Sequence, residues 1–431
     1  MTPRQLLLAC CLLLCAQLAH AGPKIERWQT TAGTRVLFVE DHSLPIIDLQ
    51  LDFAAGTARE PVGREGVAGL TRALIDLGAN GMDETEIASR LADLGARLSG
   101  GVDLDRTSLT LRTLSMADKR APAFELLRAI IAGPTFPVAA FEREKARSLA
   151  ALREALTRPD VIASKAFWAA MYPQHPYGRQ ATPESLTALL RDDVLAFHAA
   201  HYGARSATLA IVGDLSRAEA EALAERLSSG LPAAAVVAGL PQPQLPAGGE
   251  ERIAHPAVQS HLLIGMPALK RGDPDFFPLA VGNYSLGGGG FVSRLVKEVR
   301  DKRGLAYSVH SYFLPLQQLG PFQIGLQTRK GQAAEALQLT RAVLTEFLER
   351  GPSETELLAA KQNLVGSFPL RLDSNRKILE NVAMIAFYDL PLDYLDRYPE
   401  NVERVTAAEI QAAFARRLQA AHLVTVVVAG D

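Results

Sequence analysis

The chain has 431 residues, 48% hydrophobic and 21% charged, which is enough apolar material for two or three packed cores. A formal net charge of -2 excludes a global field that would attract nucleic acid or an anionic membrane. All three cysteines, Cys10, Cys11 and Cys15, sit close to the N-terminus, so the rest of the chain can form neither a disulfide nor a thiolate metal site.

In chain order, the first segment reads as a secretory signal over residues 1–21. Arg4 supplies a positive start, residues 6–18 form an apolar run, and Ala19-His20-Ala21 is a small-x-small cleavage site that leaves Gly22 as the mature start. The run is too short to span a bilayer as an uncleaved anchor. A lipoprotein reading on Leu7-Leu8-Ala9-Cys10 has too little apolar sequence before Cys10. The expectation is an exported, periplasmic protein, where a cysteine-free chain has nothing to mispair. After Gly22 no stretch is long and apolar enough to cross a membrane.

β-Branched enrichment and alternation predict strands at 35–39, 46–53, 107–114, 261–266 and 322–328. Helical periodicity fills 67–77, 83–94, 122–132, 139–156, 332–349 and 354–364. A Pro- and Gly-rich stretch at 231–249 reads as a linker between an N-terminal lobe (22–230) and a C-terminal lobe (250–431). The ends of the lobes repeat. DDVLAFHAAHYGARSATLAIVGD at 192–214 aligns without gaps on EIQAAFARRLQAAHLVTVVVAGD at 409–431, with Phe197 on Phe414, Thr208 on Thr425, Gly213 on Gly430 and Asp214 on Asp431. Helix followed by strand in the same register points to duplication. The predicted class is α+β: two homologous lobes forming a clamshell, each a mostly antiparallel sheet with helices on one face.

Chemistry is sparse. Neither H-x-x-E-H nor H-E-x-x-H occurs. His198 and His201 share a helix face at i,i+3, but no third ligand accompanies them, so a helix-end or partly buried histidine is the expected role. The run Gly287 to Gly290 lacks the ending of a phosphate loop and reads as a tight turn before a helix from Ser293. No G-x-S-x-G is present. A Ser or Thr nucleophile working with a distant His such as His175 or His198 leaves no sequence signature, and that reading stays open.

Several segments together resemble the pitrilysin/insulinase family of zinc peptidases, to which the mitochondrial processing peptidase belongs. They are Phe53 to Glu60 (FAAGTARE), Gly66-Val67-Ala68-Gly69-Leu70, His175-Pro176-Tyr177-Gly178, Ala210 to Asp214 (AIVGD) and Leu286-Gly287-Gly288-Gly289 with Ser293-Arg294-Leu295. Val299 to Ser308 (VRDKRGLAYS) is the most specific. The resemblance covers essentially the whole chain after Gly22. It implies a metal helix carrying H-x-x-E-H, a Glu ligand 77 residues beyond the second His, and an Arg and a Tyr seven residues apart on the second lobe that bind substrate. Here the metal positions read Gly69, Arg72, Ala73 and Ala150, so no ligand and no general base remains. The Arg and Tyr are kept as Arg300 and Tyr307.

The resemblance therefore implies a metal-free subunit with no activity of its own. It would work beside an H-x-x-E-H subunit of the same family, which would hold the zinc. Arg300 and Tyr307 would complete that site in trans, and the substrate would be a peptide or unfolded protein. A non-enzymatic peptide-binding or scaffold protein is the alternative.

Overall fold

The structure, a computed structural model, describes residues 22–233 and 236–429. The expected signal with its cleavage site at 1–21, and the closing Gly430-Asp431 pair, lie outside the described residues. The first half contributes strands β1 (Glu26–Gln29), β2 (Arg35–Glu40), β3 (Ile46–Phe53), β4 (Gly78–Ala79), β5 (Met82–Asp83), β6 (Arg97–Val102), β7 (Thr107–Leu114) and β8 (Ala207–Gly213). The second contributes β9 (Gly249–Ala254), β10 (Gln259–Leu269), β11 (Ser308–Phe313), β12 (Gly320–Arg329) and β13 (Val424–Ala429).

The two large sheets repeat one topology. The first runs β1-β2-β8-β3-β7-β6 and the second β9-β13-β10-β12-β11. In each, among the described residues, the one parallel strand pair joins the lobe's early strand to its last one: β2 with β8, and β9 with β13. The register repeats too. Thr208 of β8 faces Asp52 of β3, and Thr425 of β13 faces Ile264 of β10. The gap-free offset of 217 residues seen in the sequence therefore sets equivalent rungs of two equivalent ladders. The class is the expected α+β one, with mostly antiparallel sheets.

Alternation decides which face each sheet buries. On β3, Ile47, Leu49, Leu51 and Phe53 point into the lobe's own helical core, while Asp48, Gln50 and Asp52 point the other way. That second face meets the opposite lobe. Helix Asn375–Tyr388, from the second half, lies across β8, β3 and β2. It packs Leu379, Val382 and Ala386 in one cluster with Leu37, Val39, Ala210 and Val212. Helix Pro159–Met171, from the first half, lies across β13 and β10 and packs Ala163, Phe167 and Met171 with Val424, Val426 and Val428. The 217 offset carries one helix onto the other. Each lobe thus covers its sheet on one face with its own helices and lends one helix to the other lobe's sheet.

Polar contacts fasten the exchange. Asp105, 1% exposed, accepts from Tyr177 Oη at 2.6 Å, Tyr388 Oη at 2.9 Å and the backbone N–H of Gln317 at 2.8 Å, joining both lobes at one carboxylate. The connecting stretch follows the surface. His175 Nε2 donates to the Pro241 carbonyl at 2.9 Å, and Gln318 Nε2 to that of Leu240 at 2.8 Å. Among the described residues no helix is long and apolar enough to cross a membrane.

Candidate functional site

The helix that would carry a metal is Val67–Leu74. Val67, Ala68, Leu70, Thr71 and Leu74 are buried, which turns positions 69, 72 and 73 outward as one face. Its N-terminus is held by Glu60, whose carboxyl accepts the Ala68 N–H at 2.9 Å and is pushed up to about 7 by burial. The scaffold for an H-x-x-E-H face is therefore intact. Its side chains are not. Gly69 and Ala73 are exposed, and a Cβ added at Gly69 would meet nothing within 4 Å. Ala150 is exposed on helix Val138–Ala155, which packs against Val67–Leu74.

Arg72 fills part of this space. Its Nε donates to the Ser108 carbonyl of β7 at 3.2 Å, and it pairs with Asp76 one turn on at 3.5 Å. The guanidinium lies against β6 at Gly100, where an added Cβ would stand 3.0 Å from Nε and where φ is +147°. A bare glycine, two methyl groups and a guanidinium offer no lone pair to a divalent cation, so these positions do not fit zinc. Glu144, the buried carboxylate of the neighbouring helix, is occupied by Arg143 at 3.4 Å and Arg147 at 3.2 Å. Among the described residues no group of three His, Cys, Asp or Glu is placed to hold a metal.

The histidines singled out in the sequence are packed against aromatic rings and backbone groups. His198 is buried between Phe136 and Tyr202, its ring centroid 5.4 and 4.8 Å from theirs, and burial pushes its pKa down to about 4. His201 packs on Phe197 at 4.5 Å. His175 orients the connecting strap, and its Nδ1 accepts from the Tyr177 N–H at 3.1 Å. No hydroxyl or amine nucleophile is hydrogen-bonded to any of these rings among the described residues.

Arg300 and Tyr307 are brought together on the second lobe. Residues 284–288 form a widened helical turn, and Gly290–Val292 a tight one, before helical residues Val296–Asp301. The glycine run is thus a helical connection rather than a simple turn. It presents Phe291, 71% exposed, opposite Tyr307, 81% exposed. The Arg300 guanidinium lies between the two rings, 5.0 Å from the Phe291 centroid and 5.7 Å from that of Tyr307. The groove around them, about 480 Å³, is lined by second-lobe residues alone, including Val309, His310 and Tyr312. The degenerate metal face does not contribute to it. The spacing of Arg300 and Tyr307 is legible in the sequence, whereas the place of Phe291 beside Arg300 is not. An aromatic directly after four glycines was the available signal.

Fold and site together define a two-lobed peptidase-like protein with an open groove around Arg300 and Tyr307 and, among the described residues, no metal-holding cluster. The insulinase (peptidase family M16) model matches residues 35–183, and the peptidase M16 inactive domain model matches 188–364. A crystal structure of a peptidase M16 inactive domain from Pseudomonas fluorescens is 37% identical and superposes with a TM-score of 0.91 over 94% of this chain and 98% of that one. The non-peptidase homologue YmxG of Helicobacter pylori is 25% identical over 88% of each chain. An uncharacterized zinc protease of Streptomyces coelicolor, SCO5738, is 32% identical over 49% of this chain and 48% of its own. The periplasmic protease PqqL of Escherichia coli shares the fold at a TM-score of 0.78 and 16% identity, with 96% of this chain matched to 46% of that one. The chain belongs to the insulinase (M16) peptidase family. Within it, this is a homologue without the family's metal-binding residues.

Proposed function

We propose that this chain is the zinc-free subunit of an exported two-subunit insulinase-like metallopeptidase. It docks on an H-x-x-E-H partner and supplies Arg300 and Tyr307 to the partner's site in trans. The observation that carries the reading is a contrast on one molecule. The metal face at Gly69, Arg72, Ala73 and Ala150 is stripped, whereas Arg300 and Tyr307 remain side by side in an open groove. A guanidinium and a phenol are donors suited to a peptide carbonyl that gains negative charge as it is attacked. Substrate would be an extended peptide or unfolded segment, held through backbone hydrogen bonds at a sheet edge. β6 and β11 are such edges, each paired on one side only.

The test is reconstitution with the H-x-x-E-H subunit of the same source. Arg300→Ala and Tyr307→Phe should each lower turnover of a peptide by about a hundredfold to a thousandfold, the cost of removing one donor to a developing oxyanion, while assembly measured by sedimentation stays unchanged. Full activity of both variants would remove the in-trans role. A second reading, capture of peptides without cleavage, is favoured by the non-peptidase relative and by the open β6 edge. It gains ground if no H-x-x-E-H chain co-purifies.

A further inference from the structure

A second cavity adjoins the Arg300 groove. It measures about 230 Å³ and lies between the second sheet and helix Pro159–Met171, the one lent by the first lobe. Trp168, His261, His310, Tyr312 and Gln323 line it. Ser308, His310 and Tyr312 of β11 belong both to this cavity and to the groove of Arg300 and Tyr307. The two share this stretch of β11 as a wall.

Its chemistry differs from that of the groove. No Lys or Arg lines it, and its one carboxylate, Asp160, stands beside Arg158 at 3.6 Å. His261 is half-buried, and burial lowers its pKa. The rings of His310 and Tyr312 are parallel, 8° apart with centroids 6.1 Å apart, and Trp168 is backed by Tyr172 at 5.5 Å. Gly325 of β12 makes room for the His310 ring, because a Cβ there would stand 3.1 Å from Cε1.

The duplication supplies an internal comparison. The equivalent place on the first sheet, under helix Asn375–Tyr388, is a cavity of about 110 Å³. Ion pairs fill it: Arg112 grips Asp48 at 2.7 and 2.8 Å, and Arg376 meets Glu380 at 3.2 Å. One copy is crossed by ion pairs; the other is larger and aromatic, with Asp160 as its one carboxylate. Its volume is below that of pockets that hold whole small-molecule ligands and suits a single ring.

We propose that the cavity between Trp168, His310 and Tyr312 is a side-chain subsite for an aromatic residue of the peptide whose backbone lies at Arg300 and Tyr307. This rests on the peptide-binding part of the reading above and adds a specificity to it. Alternate residues of an extended chain beside β11 point to opposite faces, so one can meet the Arg300 groove while its neighbour enters the aromatic cavity.

The experiment uses the purified chain without a partner, with Trp28→Phe so that Trp168 is the only tryptophan. Two short acetylated, amidated Ser/Thr-rich peptides are titrated, identical except for one Phe or one Ala. The Phe peptide should change Trp168 emission and bind about tenfold or more tighter, as expected for burying one aromatic side chain. His310→Ala, at an exposed position, should keep the thermal midpoint and abolish the preference. Arg300→Ala should weaken both peptides and leave their ratio intact. Equal affinities, a preference that survives His310→Ala, or no binding of either peptide at millimolar concentration would overturn the subsite. Turnover of the reconstituted pair reports separately on the in-trans role, so failure of one is distinguishable from failure of the other.

Discussion

Glu60 and His198 show how single residues set the behaviour of the degenerate lobe. Glu60 is raised to about 7 by burial from an ordinary value of 4.5. Its contribution to stability is therefore full below pH 4.5 and is lost as pH rises to 7, by roughly 3 kcal/mol at most. His198 is lowered to about 4 from 6.5, so its contribution is full above pH 6.5 and is lost as pH falls to 4. The two slopes oppose each other. Denaturant unfolding across pH 4–8 should show Glu60→Gln with stability that rises more steeply with pH than in the parent. His198→Phe, which removes an Nε2 without a partner among the described residues, should show the reverse. Parallel curves for parent and variants would contradict these assignments. Residue roles were unevenly legible. The missing ligands and the Arg300–Tyr307 pair were readable because they sit in local motifs. Phe291 and Asp105 were not, since one acts through a ring stacked on Arg300 and the other through partners as distant in sequence as Tyr388.

At the scale of elements, the outward face of Val67–Leu74 makes a constructive prediction. Glu60 accepts the Ala68 N–H in the helix's first turn, the inner face is packed, and space above Gly69 is open. The combined change Gly69→His, Arg72→Glu, Ala73→His and Ala150→Glu should give one bound zinc per chain by elemental analysis. A folded variant that takes up no zinc would show that these are not the metal positions. Strands β3 and β7 have the predicted limits because their alternation is strong, and the repeat at the lobe ends is visible because both copies keep a β-branched strand. Edge strands β6 and β11 escaped notice. β6 carries two glycines and exposed polar residues, so neither propensity nor alternation marks it. The lent helices escaped as well. Pro159–Met171 is apolar around much of its circumference, because one side meets its own lobe and the other a foreign sheet, which blurs the helical period.

For the whole molecule, the exchange of helices ties the two lobes into one folding unit. Neither sheet can bury its second face without the other half of the chain. Phe167→Ala, at a fully buried ring beneath the second sheet, should cost about 3–5 kcal/mol and lower a single unfolding transition seen equally by probes in both lobes. Two separate transitions would show that the lobes fold independently. Such a fixed body suits a subunit that meets a partner as a rigid half. The most direct test of that idea is metal content set beside activity, for the chain alone and for the complex isolated from its native source. The chain alone should hold no zinc and cleave nothing, and the complex should hold one zinc per pair of subunits and show chelator-sensitive peptide cleavage. One zinc per chain in the isolated protein, with chelator-sensitive cleavage, would contradict it.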